Sequence, residues 1–176
     1  MLEKNYFELL GLPVAFVIDP TLLDQNYRNL QSEVHPDRFA AAPAADRLRS
    51  IQVATQVNEA YQTLKSPIAR GRYLLQLNGV DTQEETNTAM PAAFLMQQME
   101  WREAIEDASA ARDISALDQL LKELRQAAKT LEAELQNSLD QQHDFAKAAE
   151  AVRKLRFLDK VRDEIEHAIE ALEGNL

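Results

Sequence analysis

Apolar residues in this chain recur at intervals of three and four and almost nowhere alternate, so the pattern predicts helix throughout. A short helix is expected over about Asn5 to Leu10, with Gly11 free to take the left-handed conformation that stops it. Asp19-Pro20 reads as an N-cap followed by a first helical residue. The next helix, Thr21 to Val34, carries Leu22, Leu23, Tyr27, Leu30 and Val34 at helical spacing. Pro36 disfavours helical geometry at His35 and closes it, and Arg38 to Pro43 reads as a loop. A longer helix, Ala44 to Lys65, places Leu48, Ile51, Ala54, Val57, Tyr61 and Leu64 on one stripe. Ser66-Pro67 caps a further helix containing Ile68, Tyr73, Leu74 and Leu77, which Asn78-Gly79 ends.

The pattern then breaks. Val80 to Thr88 is polar and lacks periodicity, as suits a linker. Three long helical patterns follow. The first runs from about Pro91 to Ala110. The second runs from Asp113 to Leu139, with Ile114, Leu117, Leu121, Leu124, Ala128, Leu131 and Leu135 on its stripe. The third runs from about Gln142 to Leu172, with Phe145, Ala149, Val152, Leu155, Leu158, Val161, Ile165, Ile169 and Leu172. Short polar breaks separate them, so neighbours should be antiparallel, which describes a three-helix bundle. The expected architecture is all-α: a helical module over 1–76, a linker over 77–90 and a bundle over 91–176.

Composition agrees. Hydrophobic residues make up 45% of the 176, enough for a core, and only 4 Gly and 6 Pro interrupt the helix formers. The charge divides unevenly. Residues 1–76 hold eight basic and eight acidic side chains, whereas 77–176 hold 11 basic and 21 acidic, which accounts for the whole net charge of −10. That excess argues against nucleic acid as a partner of the second module and favours a basic protein surface. The chain has no cysteine, so it cannot form a disulfide or a thiolate metal site, and it fits a reducing cytoplasm. No signal peptide is expected from Met1-Leu2-Glu3-Lys4-Asn5, and no apolar run approaches the ~18–20 residues of a membrane span. No nucleophile–base pair or phosphate loop is visible, so an enzyme is not expected, and no catalytic residue or cofactor is assigned.

Two constellations could carry function. The tripeptide His35-Pro36-Asp37 stands between two amphipathic helices. It could be a recognition loop in which Pro36 fixes the backbone while His35 and Asp37 offer a ring and a carboxylate. It could instead be a plain turn with Asp37 capping the next segment. A metal site would need further ligands, and His143 and His167 lie in the distant second module, so no metal residue is assigned. The second constellation lies between Ala93 and Asp107. At 100° per residue, Phe94, Trp101, Ile105 and Ala108 fall on one arc, the expected core face. Leu95, Met96, Met99, Glu100, Glu103 and Asp107 fall within a different arc of about 140°. Such a face suits protein docking, since flexible Met side chains adapt to a partner. The pattern alone favours Leu95, Met96 and Met99 as core, because a bundle helix touches two neighbours. Phe157 lies about 100° off its helix's stripe through Leu158, which points to a surface position. Arg153, Lys154 and Arg156 form a basic cluster best read as solvated or paired within the chain.

Several of these residues carry a family resemblance. Asn5-Tyr6-Phe7-Glu8-Leu9-Leu10-Gly11-Leu12, His35-Pro36-Asp37 and Val57-Asn58-Glu59-Ala60-Tyr61-Gln62-Thr63-Leu64-Lys65-Ser66-Pro67 resemble the J-domain of co-chaperones that drive DnaK-type ATPases. Phe94-Leu95-Met96, Glu100, Glu103 and Val152 to Lys160 are similar to the C-terminal domain of the HscB family, the J-proteins of bacterial iron–sulfur cluster biogenesis. The resemblance implies a chaperone-binding site at His35, Pro36, Asp37, Arg28 and Arg38, directed at the chaperone HscA. It implies a site for the cluster scaffold protein IscU at Leu95, Met96, Met99, Glu100, Glu103, Asp107 and Phe157. Met99 and Asp107 stand where the family pattern leads one to expect Leu and Glu. Glu33 and Val34 occupy positions often basic or aromatic in J-domains, so the positive footprint before the loop is thin, as for a specialised chaperone partner. The alternatives are a J-protein serving another client and a structural helical bundle with an incidental His-Pro-Asp.

Overall fold

The computed structural model describes residues 3–84 and 90–174, so part of the polar stretch, residues 85–89, lies outside the described residues. Helices α1 (Tyr6–Leu9), α2 (Pro20–Val34), α3 (Ala44–Lys65) and α4 (Pro67–Leu77) belong to one compact unit ending at Gly79. Helices α5 (Ala92–Ala110), α6 (Ile114–Gln136) and α7 (Phe145–Glu173) belong to a second unit that begins at Val80. Among the described residues there is no strand.

Local chemistry sets the helix starts. Asn5, Asp19, Ser66, Asp113 and Asp144 each accept a backbone N–H at the head of the helix that follows. Helix α5 is the exception among the long helices of the second unit: it starts after Pro91 with no side-chain cap. Gly11, at φ +66°, ends the turn after α1, and the adjacent Leu10 carbonyl accepts from Asn26 Nδ2 at 2.8 Å.

In the first unit, α2 and α3 form the central pair. Leu23, Val34, Val53, Val57, Ala60 and Leu64 are buried, together with Phe7 and Leu10 beneath them in the same core. Two polar links join the pair. Tyr27 stacks on Tyr61 with ring centroids 3.9 Å apart, and the Tyr61 hydroxyl donates to Asp24 at 2.7 Å while that of Tyr27 donates to Asn58 at 2.7 Å. A buried arginine ties down the segment before α2: Arg70 Nε donates to the Phe16 carbonyl at 2.6 Å and Nη1 to the Leu64 carbonyl at 2.7 Å.

The stripe expected on α3 needs correction. Leu48 and Ile51 are 57% and 50% exposed, and the buried row is Ser50, Val53, Val57, Ala60 and Leu64. Two rows at three–four spacing meet at Val57 and Leu64. In the first half of α3 the row with smaller side chains faces Val34 and Phe39, around an open groove of about 500 Å³. Leu22 and Leu77, also expected on apolar stripes, are exposed as well.

The second unit matches its apolar pattern closely. Leu117, Leu121, Leu124, Leu131 and Leu135 of α6 are buried, as are Val152, Leu155, Leu158, Val161 and Ile165 of α7. Helix α6 ends earlier than its periodicity suggests. A π-type turn, Asn137–Gln142, follows it and still buries Leu139, and His143 adopts the left-handed conformation at φ 52° before α7 begins. The stretch Val80 to Glu84 is anchored here: Thr82 is buried, and its carbonyl accepts from Arg153 Nη1 at 3.2 Å.

Two outcomes follow. Leu155→Ala should lower the stability of the second unit by about 2–5 kcal/mol, read from urea unfolding followed by the fluorescence of Trp101 in the same unit. The hydrogen bond to Asp24 holds the Tyr61 phenol above its ordinary range, with lesser contributions from desolvation and the nearby carboxylate charge. The folded state therefore binds that proton more tightly than the unfolded chain. Its stabilising effect is complete below about pH 10 and is lost as pH rises through the folded-state value. Absorbance titration at 295 nm should show a late phenolate component above pH 10 that loses one tyrosine's amplitude in Tyr61→Phe, the remainder belonging to Tyr6, whose phenol is also held up by burial.

Candidate functional site

The first candidate cluster is the turn between α2 and α3. Pro36 cannot continue α2, and His35 takes φ −56° and ψ 130°, which turns the chain out of the helix. The segment Pro36–Phe39 is a single 3₁₀ turn, so the loop expected from Arg38 onward is ordered at its start. The cap is His35, not Asp37. His35 Nδ1 accepts the Asp37 backbone N–H at 3.2 Å, and the ring is exposed. The Asp37 side chain is 93% exposed, with Oδ2 3.6 Å from His35 Nδ1. Arg38 reaches back over the turn and donates from Nη1 to the Ser32 carbonyl at 3.3 Å. Arg28 lies exposed on α2, beside the Tyr27–Tyr61 stack. The backbone is thus held by short-range bonds, while the Asp37 carboxylate has almost no structural work to do.

The second cluster is on α5. Phe94, Trp101, Ile105 and Ala108 are buried, as the 100° spacing predicts, and Gln98 joins them. That burial fixes the rotation of the helix. Leu95, Met96 and Met99 consequently point outward, 43%, 62% and 70% exposed, which decides between the two readings of these residues: they are surface, not core. Glu100, Glu103 and Asp107 are exposed on the same side, so an apolar patch runs into an acidic one along a single helix face.

Phe157 is half-buried rather than a free surface ring. It meets Phe94 edge-on at 6.4 Å between centroids, and the Arg102 guanidinium sits 5.5 Å from its centre. Arg102 in turn pairs with Glu164 at 3.6 Å. On α5, Arg102 lies only about 20° from Leu95, so the Phe157 ring adjoins the edge of the apolar patch. The sequence pattern missed Arg102. Its one available signal was a lone cation within an otherwise acidic helix. Of the basic cluster, Lys154 pairs with Glu150 at 2.9 Å and Arg153 is held by Thr82, while Arg156 is exposed. Among the described residues, no group of three or more His, Cys, Asp or Glu side chains could hold a metal ion, and no helix is long and apolar enough to cross a membrane.

Comparison with known proteins gives the chain a family. A family model described as the HSCB C-terminal oligomerisation domain matches residues 90–166. A co-chaperone protein HscB homolog from Aromatoleum aromaticum is 49% identical over 172 residues, which cover 98% of this chain and 97% of the relative. The chain belongs to the HscB co-chaperone family. Solved structures agree with that membership. Chaperone HscB from Vibrio cholerae superposes with a TM-score of 0.85 at 40% identity, over 96% of this chain and 99% of that one. Human co-chaperone protein HscB does so with a TM-score of 0.88 at 30% identity, over 94% of this chain and 82% of that one. The first unit is accordingly a J-domain and the second the family's C-terminal helical bundle.

Because the Asp37 carboxylate is solvated, Asp37→Asn should change thermal or urea stability by no more than about 0.5 kcal/mol. A loss beyond 1 kcal/mol would mean that the residue is structural after all.

Proposed function

We propose that this protein stimulates the ATPase of the DnaK-type chaperone HscA through the His35-Pro36-Asp37 turn and delivers the iron–sulfur scaffold IscU to it through the exposed face of α5. The observation that carries the proposal is the presence, in one chain of the HscB family, of a capped turn with a solvent-exposed carboxylate and a helix face with three solvent-facing apolar side chains.

At the first site, His35, Pro36 and Asp37 would meet the chaperone, flanked by the cations Arg28 and Arg38. The nucleotide and the groups that hydrolyse it belong to the chaperone in this scheme. No catalytic residue or cofactor is assigned to this chain. At the second site, Leu95, Met96 and Met99 would be buried against the scaffold, with Phe157 adding a ring at the edge. Glu100, Glu103 and Asp107 would meet a basic rim. Joining the two sites in one chain raises the scaffold's effective concentration at the chaperone without any new contact. A cysteine-free protein with this task fits a reducing cytoplasm.

The test is steady-state ATP hydrolysis by purified HscA with IscU present, using the parent protein, Asp37→Asn and Phe157→Ala. The parent should stimulate, and Asp37→Asn should fail even at saturating concentration. Phe157→Ala should stimulate only at roughly thirtyfold higher concentration, the equivalent of an interfacial aromatic anchor of about 2 kcal/mol. If Phe157→Ala, Leu95→Ala and Met96→Ala all behave like the parent while Asp37→Asn fails, the scaffold assignment falls and a J-protein for a different client remains. No stimulation by the parent, with the chaperone shown to be active, removes the chaperone assignment as well.

A further inference from the structure

Two of the chain's four methionines, Met96 and Met99, stand one turn apart on the outer face of α5, 62% and 70% exposed. Met90, just before the helix, is half-buried. With no cysteine in the chain to react first, exposed thioethers are its most accessible reducing groups. A neutral peroxide is not turned away by the acidic side chains around them.

We propose that Met96 and Met99 form an oxidation site, and that peroxide acting there weakens the protein's hold on its client. The inference rests on the assignment of this face to the scaffold. In the step, each thioether sulfur attacks one oxygen of hydrogen peroxide. An S–O bond forms and the O–O bond breaks. The proton on the transferred oxygen passes to the departing hydroxide, which leaves as water. Sulfur gives up two electrons and the peroxide takes them.

The product is ill suited to an interface. A sulfoxide is polar and accepts hydrogen bonds, whereas a thioether packs as an apolar group. Its neighbours along the face, Glu100, Glu103 and Asp107, are acceptors when ionised, and the one cation at its edge, Arg102, is already engaged by Glu164 and the Phe157 ring. Burying two sulfoxides against a partner therefore forfeits apolar contact and leaves acceptors to be satisfied by the partner alone. The fold itself is spared. Both side chains point away from Phe94, Gln98, Trp101, Ile105 and Ala108, the row that packs α5 into the bundle. The change is reversible in principle, since sulfoxide reductases restore each sulfur epimer.

The experiment is timed exposure of the full-length protein to hydrogen peroxide, with peptide mass mapping, circular dichroism and titration against purified IscU at each time point. Met96 and Met99 should gain oxygen ahead of Met90, helix content should stay constant, and affinity for IscU should fall at least about tenfold. Met96→Leu/Met99→Leu removes both sulfurs, so, whatever affinity it starts from, that affinity should be the same before and after treatment. Unchanged affinity after full conversion of both residues overturns the inference and leaves the scaffold assignment standing. An equal loss in the double-leucine variant overturns it too, because the damage would then lie elsewhere. Oxidation of Met96 and Met99 no faster than Met90 removes the basis for a distinct site. Failure of the untreated parent to bind IscU brings down the scaffold assignment and this inference with it.

Discussion

Each long helix of the C-terminal bundle can bury only one stripe, and that constraint decides what the bundle presents to solvent. Helices α6 and α7 pack along most of their length through Leu117 to Leu135 and Val152 to Ile165. Helix α5 adds a third, thinner layer with Phe94, Gln98, Trp101, Ile105 and Ala108. Once those five residues are turned inward, at 100° per residue the opposite side of α5 has nowhere to go but outward. The exposure of Leu95, Met96 and Met99 is a geometric consequence of burying Phe94 and Trp101. A partner face on this helix needs no device beyond apolar residues placed where the core cannot take them.

The J-domain solves a different problem with similar means. The turn proposed for recognition is held locally while its side chains stay exposed. The Pro36 ring and the His35 imidazole fix the backbone locally, and the tyrosine stack with its two side-chain hydrogen bonds fixes α2 against α3. Stabilisation thus comes from residues adjacent to the Asp37 carboxylate and not from the carboxylate itself. The charge division along the sequence follows the same separation of tasks: a balanced first unit with scattered cations near the turn, and an acidic second unit.

Most of this was legible in the sequence, and the exceptions share a cause. Single-helix periodicity identified α2 to α7 and the α5 core arc because each depends on spacing within one helix. It could not choose between two competing rows on α3, where Leu48 and Ile51 looked better than Ser50 and Val53 on hydrophobicity alone. That choice depends on what Val34 and Phe39 present from across the groove. The π-type turn at Asn137–Gln142 was invisible for a related reason: its extra residue per turn keeps Leu139 on the apolar side, so the pattern reads as unbroken helix. The candidate site residues were proposed through motif and resemblance. The half-burial of Phe157 under Arg102 was not, because it arises from a pairing between α5 and α7 that no spacing rule encodes.

The bare start of α5 gives the proposed client face a gradient of its own. Asp113 and Asp144 cap the two neighbouring helices, but after Pro91 the leading N–H groups of α5 have no side chain to receive them. A missing cap leaves a first turn about 0.5–2 kcal/mol easier to open than a capped one. Leu95 and Met96 sit at and just past that turn, whereas Glu100 and Glu103 lie in the middle of the helix. The uncapped apolar end therefore opens more easily than the helix middle. A partner gripping the apolar end incurs a cost for ordering it, which shortens the partner's stay. If the protein hands its client over as proposed, a grip that loosens from one end is worth more than the tightest one available.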